Sequence, residues 1–177
     1  NLVFFVLNKH TPETEIYGFL KPLEEGENIA VISEAGCPGV ADPGAEIVRI
    51  AHMKGFKVIP LVGPSSVILA LMASGLNGQN FTFHGYLPVK RRERLKAIAG
   101  LEKKAVNSQQ TQIFIETPYR YNQMIKDLLL TCSSDTLLCI AANLTADHEF
   151  IGTKTIAQWK KQIPDIHKIP AIFLIGV

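Results

Sequence analysis

The sequence predicts an α/β protein in which a parallel sheet is followed by a second set of strands and helices. Apolar runs typical of buried strands alternate with helical segments, and glycine- and proline-rich loops connect them. This alternation stops near Gly85 and then resumes with new elements. With 177 residues, the chain is long enough for one large domain or two small ones. We therefore predict an N-terminal α/β domain over residues 1–85, with a partial parallel sheet, and a C-terminal α/β domain over residues 86–177.

The first domain is predicted to contain strands at residues 2–7, 28–32 and 56–62. Thr11 is predicted as the N-cap of a helix between the first two strands. Asp42 is predicted as the N-cap of a second helix that Gly55 ends, and an apolar helix covers residues 67–74. Strand–loop–helix units of this kind join parallel strands through right-handed crossovers.

The second domain is predicted to alternate strands and helices in the same way. A short strand at residues 81–83 precedes the domain boundary, and the predicted strands of the second domain are 112–115, 136–141, 149–152 and 171–175. Its predicted helices are 90–104, 121–130 and 156–162.

Composition narrows the classes of protein that fit. Hydrophobic residues make up 47% and charged residues 19%, which is typical of a globular chain. The net charge of +2 excludes a polycation, so any contact with nucleic acid requires a local basic patch. Three cysteines without a CxxC pair argue against a disulfide framework and a zinc site, and they favour a reducing, cytoplasmic compartment. No apolar run reaches the roughly 18 residues of a membrane span, and no metal site is predicted.

Two loops in the first domain have the composition of ligand-binding loops. The stretches AGCPG and GPSS each follow a predicted strand and lead into a helix, where free backbone N–H groups favour polar or anionic ligands. Gly36, Gly39 and Gly63 allow close approach of the backbone, and Ser65 and Ser66 add hydroxyls. Two interpretations stay open, a ligand site or ordinary turn chemistry with Ser65 as an N-cap. Neither loop matches GxGxxG or GxxxxGK[ST], so dinucleotide and P-loop sites have no support.

The stretches SEAGCPGVADPG, KVIPLVGPSSVILALMASGL, FHGYLP and FIETPYR occur in this order along the chain. Together they resemble the tetrapyrrole methylase family, and most closely its ribosomal RNA 2′-O-ribose methyltransferase branch. The resemblance implies two α/β domains with S-adenosylmethionine bound in the cleft between them, and a homodimer. It also implies that a first strand and a glycine-rich turn of the family are missing before residue 1.

The resemblance also implies which residues contact the cofactor. In the first domain these are Gly36, Cys37, Val40, Ser65 and Ser66. In the second domain, strand ends are expected to approach the adenosine part of the cofactor through Glu116, Thr117, Asn143, Ile169 and Pro170.

Glu116 and Arg120 are the candidates for catalytic residues. Methyl transfer to a hydroxyl benefits from alignment and from a general base, so Glu116 could accept a proton or bind the cofactor, and Arg120 could hold a phosphate. The alternative is an ion pair within the loop, worth less than about 1 kcal/mol. Asp42 and Glu34 are expected to be structural, Asp42 as the helix cap and Glu34 as an acceptor for loop amides.

The methyl acceptor is the least defined part of the prediction. The basic residues 90–96 fit contact with an RNA backbone, although such a segment is also typical of a solvated helix face. Ala142, Asn143 and Ala146 stand where the ribosomal RNA branch has Arg, Glu and Lys, and Lys168-Ile169-Pro170 replaces KGE. Ribosomal RNA is therefore the leading acceptor. A tetrapyrrole or another small molecule is the alternative within the methyltransferases, and a non-catalytic nucleoside-binding module is the alternative outside them.

Overall fold

A computed structural model describes residues 2–177 as a mixed α/β structure. The chain divides into two compact units, a first unit that ends at Ser65 and a second unit of Ser66–Val177. Its helices are α1 Glu13–Phe19, α2 Lys21–Glu24, α3 Gly44–Met53, α4 Ser66–Ser74, α5 Arg91–Ser108, α6 Tyr121–Thr131 and α7 Ile156–Trp159. A single 3₁₀ turn at Pro118–Arg120 precedes α6.

The second unit is built on a five-stranded sheet. Its strands are β1 Phe81–Tyr86, β2 Thr111–Ile115, β3 Leu137–Ala142, β4 Phe150–Thr155 and β5 Ala171–Gly176. They lie in the order β1-β2-β5-β3-β4, with β1 and β2 parallel and every other neighbouring pair antiparallel. All five predicted strands of this region are therefore present, and the sheet that they form is mixed.

Helices cover both faces of this sheet, which explains why its central strands are almost continuously apolar. On one face, α5, α6 and α7 pack against side chains such as Phe114 and Phe173. On the other face, α4 packs against Ile113, Cys139 and Leu174. Successive strand residues therefore alternate between two buried layers instead of between protein and solvent. The predicted core residue Trp159 is 1% exposed.

A buried ion pair joins α5 to α6. The guanidinium of Arg94 donates to Asp127 Oδ2 from Nε at 2.9 Å and from Nη2 at 2.6 Å. Arg94 Nη1 also donates to the carbonyl of Val89 at 2.7 Å, which fixes the loop that follows β1. The Asp127 side chain has no exposed surface and that of Arg94 is 5% exposed. Burial raises the pKa of Asp127, but hydrogen bonds from Arg94, Arg91 and Gln123 outweigh it and hold the pKa below its ordinary value.

The first unit is a small helical core with extended segments against it. Ile16 and Phe19 of α1 pack against Ile47 and Ile50 of α3. The strands predicted at residues 2–7, 28–32 and 56–62 are wrong, because no strand is formed among residues 2–80. The parallel sheet expected there is therefore absent from the described residues.

The apolar pattern of these segments still has a structural meaning. Leu7, Ile29, Val31, Phe56 and Val58 are partly buried against the helical core, and the residues between them are mostly exposed. A period of two predicts which side chains face inward, whereas a strand also requires a neighbouring backbone with which to form hydrogen bonds.

The division into units differs from the predicted domains in the placement of α4. This helix packs on the sheet of the second unit through Val67, Ala70 and Leu71, so it belongs with that sheet. The sequence placed residues 67–74 in the first domain. The domains predicted over residues 1–85 and 86–177 stay predictions.

Candidate functional site

In the first unit, the two predicted loops are in contact. The thiol of Cys37 donates a hydrogen bond to the carbonyl oxygen of Pro64, with 3.3 Å between Sγ and O. This contact joins AGCPG to GPSS across 27 residues of sequence. The two loops therefore lie next to each other, joined by a side-chain hydrogen bond and not by a common sheet.

Asp42 organises the first of these loops. Its Oδ1 accepts hydrogen bonds from the N–H groups of Gly39 at 3.0 Å and Gly44 at 2.8 Å, and its Oδ2 accepts one from Ser33 Oγ at 3.0 Å. Burial raises the pKa of Asp42, but these three hydrogen bonds outweigh it, so the pKa lies below its ordinary value. Asp42 therefore accepts from the first N–H of α3 and fixes the loop, but the N-cap position is held by Pro43 and not by Asp42 as predicted.

Two other expectations for the first unit are corrected. Glu34 is exposed and makes no hydrogen bond among the described residues, because Asp42 and Ser33 bind the loop amides instead. Thr11 does not cap α1: its Oγ1 accepts from the N–H of Asn8, and α1 begins after Pro12. Ser65 lies just before α4, which begins at Ser66.

Two glycines of the first loop have different physical roles. Gly36 has a φ of +72° and no atom within 4 Å of where a Cβ would stand, so its backbone is open to a ligand. Gly44 is buried, and a Cβ there would lie 2.7 Å from Asp42 Oδ1. The remaining predicted contacts of this loop are accessible, since Val40 is 48% exposed and Cys37 is half-buried.

In the second unit, strand register brings the predicted residues to one end of the sheet. Ile115 of β2 pairs with Tyr86 and Ile172, and Ala142 of β3 pairs with Ala171 and Phe150. At this end β1, β2 and β3 finish, and β4 and β5 begin; we call it the site end. Glu116 and Thr117 follow β2, Asn143 follows β3, and Ile169 and Pro170 precede β5, so all five lie at the site end.

A hydrogen bond connects two of these segments directly. The backbone N–H of Asn143 donates to the carbonyl of Pro170 at 2.8 Å. Asn143 has a φ of +55°, a left-handed conformation that asparagine tolerates better than most residues, and its side chain donates to the carbonyl of Asp147. Ile169 packs against the main core of the second unit. The sequence therefore predicted the segments around Asn143 and Pro170 as parts of one site, but it did not indicate the hydrogen bond between them.

Glu116 has the most unusual environment at the site end. Its Oε1 accepts hydrogen bonds from the N–H of Thr117 at 2.7 Å, from Arg120 Nε at 3.0 Å, and from Arg120 Nη2. The Glu116 side chain has no exposed surface, yet its Oε2 has no hydrogen-bond partner among the described residues. A buried acceptor without a partner destabilises a fold by about 1–3 kcal/mol. The ion pair considered from the sequence thus forms, but it uses only one oxygen of the carboxylate.

Tyr121 is a residue of this end that the sequence analysis missed. Its phenol oxygen accepts a hydrogen bond from the N–H of Ala171 at 2.9 Å, and the side chain is buried. Burial is the main cause that raises the pKa of Tyr121, and the charge of Glu116 contributes. The available signal was its position directly after ETPYR, because a buried tyrosine at the start of a helix needs a partner for its hydroxyl.

The basic segment at residues 90–96 is not uniformly exposed. Lys90, Arg92 and Lys96 face solvent, whereas Arg94 is buried in the ion pair with Asp127. Arg91 also contacts Asp127, but 60% of its side chain is exposed. The start of α5 therefore presents four exposed cations, and the fifth basic residue stabilises the fold.

Two of the cavities among the described residues are lined by none of the predicted contact residues. One of about 300 Å³ is at the opposite end of the sheet and is lined by neutral residues including Asn77 and Gln110. Another of about 330 Å³ lies in the first unit beside Leu7 and Pro43. Within residues 2–177, no group of three or more His, Cys, Asp or Glu side chains is arranged to hold a metal ion. No helix in this range is long and apolar enough to cross a membrane.

Comparison with known proteins gives one family. The family model described as Tetrapyrrole (Corrin/Porphyrin) Methylases matches residues 8–159, which is most of the chain. The match includes both loops of the first unit and the segment from Glu116 to Asn143.

Similar curated proteins carry the name Ribosomal RNA small subunit methyltransferase I. The protein of Pasteurella multocida is 30% identical over 175 residues, which cover 97% of this chain and 61% of that protein. The protein of Xylella fastidiosa is 35% identical over 160 residues, which cover 89% of this chain and 56% of that protein. The chain thus spans about 60% of the length of these relatives.

Solved structures with the same fold are more distant in sequence. The methyltransferase CobJ has a TM-score of 0.63 at 16% identity, covering 96% of this chain and 72% of that chain. Uroporphyrin-III C-methyltransferase from Thermus thermophilus, solved with S-adenyl homocysteine, has a TM-score of 0.53 at 18% identity, covering 92% and 72%. At such identities the likeness shows the fold alone.

Proposed function

Because the chain belongs to the tetrapyrrole methylase family, we propose that it is part of an S-adenosylmethionine-dependent methyltransferase that methylates ribosomal RNA on a ribose 2′-oxygen. The observation that carries the proposal is the family match over residues 8–159. Relatives at 30% and 35% identity that are named for ribosomal RNA favour RNA over a tetrapyrrole as acceptor. Family membership also supports two α/β domains with a cofactor cleft, a homodimer and, with three free thiols, a cytoplasmic location.

The described residues fit the cofactor in two respects. The open backbone at Gly36 and the exposed Val40 leave the first loop accessible to a nucleoside. The unpartnered Oε2 of Glu116 is a buried acceptor suited to a hydroxyl or amino donor. The residues that would hold the cofactor are Gly36, Cys37, Val40, Ser65, Ser66, Glu116, Thr117, Asn143, Ile169 and Pro170.

S-adenosylmethionine, when bound, supplies a methyl group already activated by its sulfonium. The protein then has to align the acceptor and remove a proton, because a hydroxyl that gains a methyl group on oxygen loses its hydrogen. Glu116 Oε2 is the candidate acceptor of that proton, and Arg120 holds the carboxylate in place by donating to Oε1. The side chain of Glu116 has no surface exposed to bulk water.

The start of α5 supports contact with RNA. Lys90, Arg91, Arg92 and Lys96 present positive charge to solvent next to the end of β1. Contacts to phosphate come mainly from Lys and Arg, and binding through them weakens steeply as salt rises. A variant with Lys90, Arg92 and Lys96 changed to Gln should bind small ribosomal subunits more weakly and with a shallower salt dependence.

Two measurements test the function itself. Calorimetry of the full-length protein with S-adenosylmethionine should show binding, and absence of binding would reject the cofactor. Labelled cofactor is then incubated with small ribosomal subunits, total RNA and a small-metabolite extract. Label in RNA supports the proposal. Label in a small molecule supports the tetrapyrrole-like alternative. Label in none supports a nucleoside-binding module, which the replacements at Ala142, Asn143 and Ala146 favour.

A substitution tests the placement of the second loop. Ser65→Leu should weaken cofactor binding at least tenfold, because a branched side chain would occupy space next to the open loops. Ser134→Leu is the matched control, since Ser134 is exposed in a turn of the second unit. Equal affinity in the two variants would place the cofactor elsewhere.

A further inference from the structure

Glu116 and Tyr121 have unused hydrogen-bonding capacity of opposite kinds at the site end of the sheet. Glu116 Oε2 is a buried acceptor without a donor among the described residues. The oxygen of Tyr121 accepts from the N–H of Ala171, and none of the hydrogen bonds of the described residues uses its own O–H. One side chain therefore lacks a donor, and the other has a hydrogen to donate.

Strand register places these two groups close to each other. Ile115 is opposite Ile172 in the antiparallel ladder of β2 and β5. Beyond that pair, the chain continues to Glu116 directly after β2, and Ala171 is the first residue of β5. Because the Tyr121 hydroxyl is 2.9 Å from Ala171 N, it lies beside the position occupied by Glu116.

The contacts of Glu116 leave its free oxygen in a fixed position. Three donors, one from Thr117 and two from Arg120, converge on Oε1, so the carboxylate cannot rotate without breaking all of them. The side chain is fully buried. Its second oxygen is thus held ready for a donor that is absent from the described residues.

A hydroxyl is a group that matches both side chains. A hydroxyl donates one hydrogen bond and accepts others, so it satisfies Glu116 Oε2 and the Tyr121 O–H at once. An ammonium only donates, and it would also be repelled by the guanidinium of Arg120 on the same carboxylate. A phosphate only accepts and would be repelled by the carboxylate.

We propose that Glu116 Oε2 and the Tyr121 hydroxyl together bind one ribose hydroxyl, as acceptor and donor respectively. This inference rests on the proposed function, in which a ribose occurs in both the methyl donor and the RNA acceptor. The ribose of either molecule supplies the same chemistry. A cofactor ribose would donate a hydrogen bond from its hydroxyl to Glu116. An RNA ribose would transfer the hydroxyl proton to Glu116 when its oxygen gains the methyl group.

The first arm of the test concerns the cofactor ribose. Calorimetry measures binding of S-adenosylhomocysteine, adenosine, 2′-deoxyadenosine and 3′-deoxyadenosine to the wild-type protein and to the Glu116→Gln and Tyr121→Phe variants. If the cofactor supplies the hydroxyl, one deoxy compound binds the wild type about tenfold more weakly than adenosine. Both variants lose this discrimination, an outcome that a general loss of stability does not produce.

The second arm concerns the RNA ribose. If RNA supplies the hydroxyl, both variants bind S-adenosylhomocysteine like the wild type, but methyl transfer to small ribosomal subunits falls about 100-fold or more in Glu116→Gln.

The matched control is Tyr119→Phe, since Tyr119 is 79% exposed in the same segment, and it should stay within twofold of the wild type in every measurement. The affinities of adenosine and its deoxy forms can be compared on the wild-type protein alone. The test therefore still works if Glu116→Gln folds poorly. If the wild type binds S-adenosylmethionine but both variants match it in discrimination and in transfer, the inference alone is overturned. If the wild type binds no cofactor, the proposed function fails and the inference with it.

Discussion

The two groups of predicted contact residues are held in place by different forces. At the site end of the second unit, backbone ladders position Glu116 and Asn143, and two buried apolar layers hold those ladders. In the first unit, the loop around Cys37 depends on a few hydrogen bonds that involve the side chains of Asp42, Ser33 and Cys37 itself. A ladder spreads its stability over many residues, whereas the loop concentrates it in a few polar groups. Single substitutions should therefore affect the loop locally and the second unit as a whole.

The largest effect should come from breaking the buried ion pair of the second unit. Arg94→Met leaves the Asp127 carboxylate buried without its main partner, which typically destabilises a protein by about 3–5 kcal/mol. Urea unfolding followed by the fluorescence of Trp159 measures this loss, because the chain has one tryptophan and it is buried in the second unit.

Two controls sharpen this prediction. Arg92→Met changes an exposed cation on the same helix and should alter the free energy of unfolding by no more than about 0.5 kcal/mol. The double variant Arg94→Met/Asp127→Leu should be more stable than Arg94→Met, because it removes the stranded charge. If Arg94→Met is as stable as Arg92→Met, the ion pair does not stabilise this unit.

A smaller and local effect is expected in the first unit from Asp42→Ala. The substitution removes the acceptor for Gly39 N–H and Gly44 N–H and for the Ser33 hydroxyl, a loss of about 1–2 kcal/mol. Hydrogen exchange at the two glycine amides should accelerate by a factor of about 5–30.

Asp42→Asn is the matched control for that substitution. Its amide oxygen can still accept from one or both glycine amides, so exchange should accelerate less than in Asp42→Ala. Exchange as slow in the alanine variant as in the wild type would mean that Asp42 does not hold the loop.

The same difference between the units explains what the sequence could predict. The strands of the second unit were predicted within three residues at each end, because both sheet faces are buried and produce continuous apolar runs. In the first unit, Ile29, Val31 and Phe56 of the apolar runs pack against the helical core, but the sequence pattern could not show whether a neighbouring backbone lies within hydrogen-bonding distance. Local periodicity thus indicates burial, and pairing depends on distant parts of the chain.

Site residues divide in a similar way. The sequence ETPYR offered an ion pair between Glu116 and Arg120 as one of two alternatives, and these residues, four apart, form it. The spacing could not indicate that all donors would converge on Oε1, since that depends on the three-dimensional course of the 3₁₀ turn. The bond between Tyr121 and Ala171 spans 50 residues and has no local signal. The missed features are those that need two separate segments to meet.

Acid should affect the second unit through Asp127. Its pKa is lowered in the folded state, so the unfolded chain binds more protons below about pH 5, and the stabilisation from this carboxylate is lost as pH falls. Urea unfolding of the wild type, followed by Trp159, should show stability declining between about pH 5 and pH 3. Asp127→Asn should show a shallower decline over the same range, because it lacks the titrating group. Equal slopes in both proteins would contradict this assignment.

The smallest expected effect is on the reactivity of a thiol, and it compares the units directly. Cys132 and Cys139 of the second unit are buried; burial raises the pKa of Cys132 to about 12 and also raises the pKa of Cys139. Cys37 is half-buried in the loop of the first unit. A thiol reagent at pH 8 should therefore modify one cysteine in the native protein and all three in urea, and Cys37→Ser should remove the native reaction.

The cofactor makes this labelling informative about the site. Saturating S-adenosylhomocysteine should slow the reaction of Cys37 several-fold, because an adenosyl group against the open backbone at Gly36 would cover the neighbouring thiol. Modification should in turn weaken cofactor binding, since an adduct on Sγ breaks the hydrogen bond to Pro64 that joins the two loops. Binding without protection of Cys37 would leave the second-unit residues as the only candidate contacts. It would also show that the loop joined by a single side-chain bond is not the part that recognises the nucleoside.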